Sequence, residues 1–157
     1  MTHEQITSVL VEENLLTQDQ RTAVLTAPGV TSDNQCFLEH AAKHLNLDEV
    51  ELLGGLIEHT RRNATEVKLT QTAHDPAALE YICARDAWDY LILPLAIEPT
   101  GHLLCCTTSE TLGTALAYLT RTLAIPFSIV ITDIRPLELY IAEQYHYEGV
   151  DLDTEAA

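Results

Sequence analysis

A chain of 157 residues with 46% hydrophobic and 20% charged content is long enough for one domain, or for two small subdomains sharing a core. Its 24 Asp and Glu against 8 Lys and Arg give a formal charge of −16, which disfavours nucleic-acid phosphates as a target and suits a basic protein partner. No apolar run reaches the roughly 18 residues needed to cross a bilayer, and the N-terminus lacks a basic-then-apolar leader, so the expectation is a soluble, cytoplasmic chain.

The first third reads as helices. Ile6, Val9, Leu10 and Val11 recur at helical spacing from Glu4 to Glu13, and Glu13-Asn14 breaks the run. Thr17-Gln18-Asp19-Gln20 has the form of a capping box for a second helix ending near Leu25, which Ala27-Pro28-Gly29 closes. Thr31-Ser32-Asp33 offers caps for a third helix through Cys36, Phe37, Leu38, Ala41 and Ala42 to His44. Asp48 with Glu51 then starts a fourth, carrying Val50, Leu52, Leu53, Leu56 and Ile57, with Gly54-Gly55 inside it. Leu16-Thr17 corresponds to Leu47-Asp48, a shift of 31 positions, so the four helices form a weak internal repeat of a helix-turn-helix pair.

After Arg61-Arg62-Asn63 the period changes. Glu66-Val67-Lys68-Leu69 fits a short edge strand, and Asp75-Pro76 opens a helix through Leu79, Tyr81, Ile82 and Ala84. Asp86-Ala87-Trp88-Asp89-Tyr90 reads as a connection. Leu91–Ile97 is strand-like, and Pro94 within it places that strand at an edge or a bulge. A turn at Glu98-Pro99-Thr100-Gly101 returns the chain as a second hairpin strand, His102–Thr107. Thr108 or Ser109 caps a helix with the stripe Leu112, Leu116, Leu119 and Leu123, and Phe127–Ile131 is a third apolar strand. Asp133 caps the last helix, with Pro136 in its first turn, and the Asp151-Asp153-Glu155 stretch beyond Gly149 reads as a solvated tail. The fold class expected is therefore α+β: a four-helix repeat over residues 1–62, a three-stranded sheet flanked by helices over 63–149, and an acidic tail over 150–157.

The four cysteines, Cys36, Cys83, Cys105 and Cys106, include no Cys-x-x-Cys pair, and free thiols fit best. Cys105 and Cys106 are neighbours on a strand and point to opposite faces, which argues against a disulfide between them. His40 and His44 have metal-ligand spacing on one helical face, but Ala41 stands where a catalytic Glu would be and no third ligand is evident, so no metal is expected. Nothing resembles a nucleophile elbow, a Ser-His-Asp order or a Gly-rich phosphate loop, and neither catalysis nor a cofactor is expected.

The order of elements, together with Leu93-Pro94-Leu95, Ala124-Ile125-Pro126-Phe127, the final Ile141-to-Tyr145 spacing, and Leu10-Val11-x-x-Asn14-Leu15-Leu16 with its echo at Leu45-Asn46-Leu47, resembles the N-terminal domain of type II secretion and type IV pilus assembly ATPases. The resemblance covers roughly residues 4 to 147. It implies a docking and regulatory module that ties a motor to the cytoplasmic part of an inner-membrane platform protein and reaches the membrane only through that partner. The ATPase core would lie on another chain or have been cut away.

In one branch of that family the helical repeats bind cyclic di-GMP through a pattern resembling Arg-Leu-Gly-x-x-Leu-Val-x-x-Gly-Leu-Ile. The resemblance places Gln5, Thr7, Leu10, Asn14 and Leu16 of the first copy, and Leu45 of the second, at its positions. Both arginines and all four glycines of the pattern are absent, and each lost charge-assisted bond is worth roughly 1.5–3 kcal/mol. A receptor for cyclic di-GMP is therefore the alternative to protein docking. For a protein partner the candidate contacts are Trp88, Tyr90, Arg61 and Arg62.

Overall fold

A computed structural model describes residues 1–27, 36–72, 74–123 and 125–145. The fold class is α+β, helices with a small sheet. Pro28-Gly29, the caps at Thr31-Ser32-Asp33, Ala124 and the acidic tail lie outside the described residues.

One compact unit comprises Met1–Asn63 with Leu116–Phe127. Its helices are α1 (His3–Glu12), α2 (Gln18–Thr26), α3 (Phe37–Leu45) and α4 (Glu49–Asn63). Thr17 and Gln20 form the expected capping box, and Thr2 and Gln5 form another at the start of α1. Asp48 accepts from the Val50 amide at 3.0 Å, which satisfies one of the first free N–H groups of α4. The apolar stripes of the four helices converge on Ile6, Leu10, Val24, Phe37, Leu38, Leu52 and Leu56, all buried. The described part of α3 begins at Phe37, after Cys36 in a left-handed conformation whose amide donates to Thr120 O at 3.1 Å. Arg121 completes this end of the unit by pairing with Glu49 at 2.9 Å.

The second unit comprises Ala64–Ala115 and the chain from Ser128. It holds a four-stranded sheet of β1 (Thr65–Glu66), β2 (Leu93–Ile97), β3 (Leu103–Thr107) and β4 (Phe127–Ile131), in the order β1-β4-β3-β2. The strand beyond the three expected is the short edge segment, β1. It pairs parallel with β4 and starts one residue before Glu66, and it gives way to a 3-10 turn, Leu69–Gln71, where the sequence pattern suggested continued strand. Beside it, Thr132 N–H donates to Thr107 C=O at 2.9 Å, so the C-terminal ends of β3 and β4 lie side by side. Between those strands in chain order comes α6 (Leu112–Thr122), which passes into the first unit at Leu116 and is preceded by Thr108 Oγ1 accepting from the Thr111 amide at 3.0 Å. Leu112, Leu116, Leu119 and Leu123 are all buried, as their spacing predicts.

Pro94 is at a sheet edge and also at an irregularity in register between Pro94 and Ala96. Three expectations in this half need correction. The helix opened by Asp75-Pro76 is a 3-10 helix ending at Tyr81, because Ile82 is extended and buried, and a separate helix α5 (Ala84–Tyr90) follows. The Trp88 segment is therefore helical and not a connection. Leu91, expected in the strand, is instead the left-handed residue (φ 53°) that ends α5, and Thr107 Oγ1 donates to its carbonyl at 2.8 Å. The last helix, α7 (Ile134–Tyr145), buries Leu137 and Ile141, and Tyr145 donates from its hydroxyl to Ile82 O at 2.8 Å. Cys105 and Cys106 are both fully buried, so β3 is covered on both faces.

Among the described residues, no helix is long and apolar enough to cross a membrane.

Candidate functional site

The two helix pairs end their first helices in the same way. Asn14 (φ 64°) follows α1, with Leu15 N–H donating to Leu10 O at 2.9 Å and Asn14 N–H to Val11 O at 3.0 Å. Asn46 (φ 58°) follows α3, with Leu47 N–H to Ala42 O at 2.8 Å and Asn46 N–H to Lys43 O at 3.3 Å. Each is a Schellman motif with asparagine where glycine is usual, since asparagine tolerates the left-handed region better than other side chains with a Cβ. One residue fewer follows the left-handed asparagine before the capping residue in the second copy, so the repeat fits a shift of 32 at the asparagines and of 31 after the turn.

The positions matched to the nucleotide pattern divide by burial. Thr7, Leu10 and Leu16 face inward, with Thr7 and Leu10 at 0% exposure. Thr7 Oγ1 donates to His3 O at 2.9 Å and accepts from Arg21 Nε at 3.1 Å, while Arg21 also donates to Glu4 O at 3.2 Å. Gln5 is exposed and bound into its capping box, Asn14 is exposed at its turn, and Leu45 is half-buried at the end of α3. Arg21, which ties α2 to α1, escaped the sequence reading because nothing in a single arginine on a polar helix face marks its partner.

Arg61 and Arg62 are both paired. Arg61 meets Glu58 at 2.7 Å within α4, and Arg62 reaches Glu13, whose Oε2 also lies 3.6 Å from His59 Nδ1. The only signal for Glu13 as the hub of this cluster was its place at the break after α1. Trp88 and Tyr90 are half-buried on α5, which packs on α7. Arg61 and Arg62 belong to the first unit, Trp88 and Tyr90 to the second. His40 and His44 are exposed, and no group of three or more His, Cys, Asp or Glu that could hold a metal occurs among the described residues.

A feature the sequence did not announce lies at the C-terminal end of β1. A cleft of about 540 Å³ is lined by residues 66–70, Glu66 and Lys68 among them, and by Thr132, Asp133, Pro136 and Tyr140. The Tyr140 ring is held by stacking on His74, with centroids 5.2 Å apart, and His74 Nε2 is fixed 3.0 Å from Leu69 O. Among the described residues, none of Glu66, Lys68 and Asp133 forms an ion pair, although all three line this cleft.

No family model matches the chain, and no curated protein does. Among solved structures the chain is similar to that of MshE with cdg, at 18% identity and a TM-score of 0.46, over 89% of this chain and 98% of that one. At that score the likeness carries no argument about what this chain binds.

Proposed function

We propose that the chain is a non-catalytic protein-interaction and regulatory domain, comparable in role to the N-terminal docking domain of secretion and pilus assembly ATPases, joining a motor to a membrane-platform subunit. The reading is carried by how the repeat is used. Thr7, which stands where the nucleotide pattern has its first glycine, carries a side chain buried in the packing of the helix pair. The repeat acts as a scaffold, and recognition falls to its exposed surface. The charge of −16 favours a partner with basic segments over nucleic acid or an anionic membrane surface.

A second reading, a receptor for cyclic di-GMP, is favoured by the left-handed turn at Asn14, the position at which the pattern has its second glycine. Calorimetric titration of the whole chain separates the two. Docking predicts heat with the purified cytoplasmic segment of the neighbouring platform protein and none with millimolar cyclic di-GMP. Heat with the nucleotide alone would transfer the function to the second reading, and silence with both ligands would remove both.

A further inference from the structure

We propose that β1 and the adjoining cleft form the docking edge itself, which takes an extended segment of the partner as an added strand carrying a basic and an acidic residue two positions apart. The proposal rests on the protein-docking reading above and deepens it. Val67 N–H donates to Ile131 O at 2.9 Å, and Thr65 and Glu66 pair with Val130 and Ile131 in a parallel register. In that register the hydrogen-bonding groups of Thr65 and Val67 turn toward β4, and those of Glu66 turn to the open side, where no described strand meets them. The opposite edge of the sheet is not equivalent. There Leu95 C=O already accepts from the Asp75 amide at 2.7 Å, and Pro94 has no N–H to offer.

Side chains decide which segment fits. Glu66 and Lys68, two apart on one extended stretch, both line the 540 Å³ cleft, as do Val67 between them and Asp133 after β4. A strand laid on this edge presents its own alternate residues on that face, so a basic side chain meets Glu66 while an acidic one meets Lys68. A charged edge also deters indiscriminate pairing of strands. The same charges thus serve as a selection rule, because only a segment of complementary pattern neutralises them.

The probe is acetyl-Val-Asp-Val-Arg-Val-amide, titrated into the isotopically labelled whole chain, with acetyl-Val-Asp-Val-Asp-Val-amide as control. The expected result is a shift of the Glu66 and Lys68 amide signals with the first peptide and binding about two- to fivefold weaker with the control, the scale of one lost exposed charge pair. Glu66→Pro removes the outward donor and the carboxylate together and should abolish the response, while Glu66→Lys keeps the backbone and should invert the preference between the peptides. Binding unchanged in both variants, signals shifting elsewhere, or no response at millimolar peptide each overturn the proposal. Platform segment that binds wild type and Glu66→Lys equally would sink this edge and leave the docking role standing. Failure of that segment to bind wild type at all would remove the docking role.

Discussion

A Cβ placed on Gly55 would stand 2.3 Å from Leu15 Cδ1, whereas one on the adjacent Gly54 would meet nothing within 4 Å. The two glycines of α4 therefore do different work. Gly55 lets the helix approach the turn after α1, and Gly54 occupies open space at the cost of helix propensity. Gly54→Ala should raise unfolding stability by up to about 1 kcal/mol. Gly55→Ala must displace the end of the Leu15 side chain and should lower stability by about 1–2 kcal/mol, the scale of modest overpacking. Urea denaturation of the two variants side by side checks the contrast, and equal effects would contradict it.

The turns at Asn14 and Asn46 give a second prediction. Replacing either with Ala forces a Cβ-bearing residue without the local hydrogen bonds of asparagine into the left-handed region, at a cost of about 1 kcal/mol. Glycine at the same positions should be neutral or slightly stabilising. Thermal unfolding of the four variants tests this, and an alanine as well tolerated as the glycine would contradict the geometry.

Much of this architecture was legible in the sequence, for physical reasons that differ between elements. The Thr17 box, the Leu112–Leu123 stripe and Pro94 are strong local signals, each fixed by hydrogen bonding or sterics within a few residues. What failed was set by tertiary demand. Ile82 is pulled into the core, which breaks a helix that local pattern would have continued, and Leu91 adopts a left-handed conformation no leucine announces. β1 is held by its register with β4, far along the chain, so its two residues carry little signal of their own. The cleft beside it and the partner of Arg21 are likewise products of packing.

Burial pushes the Cys106 thiol up from 9.0 to about 12, and Cys105 is raised for the same reason. In native conditions both should resist a thiol reagent that labels exposed Cys83 readily, and they should react only on unfolding. A folded-state pKa above the unfolded one means that the folded chain holds a proton the unfolded chain would release. The resulting stabilisation is complete below about pH 9 and is lost as pH rises toward 12. Cys106→Ala should flatten that alkaline decline, which a denaturation series across pH measures.

Arg62 reaches Glu13 with 56% of its side chain exposed. Screening by solvent limits such a pair, so Arg62→Ala should cost less than about 1 kcal/mol and the difference should shrink in high salt. A loss of several kcal/mol would mean that Glu13 is a structural hub of a strength its exposure does not suggest.

The asymmetry between the two sides of the sheet sets a limit on self-assembly. Open-ended growth by stacking of copies needs a free donor and acceptor row on both flanks, and here one flank is already stopped by the Asp75 amide and a proline. Copies that met through Glu66 could therefore associate only as a closed pair, which places indefinite fibre growth outside what the native sheet permits.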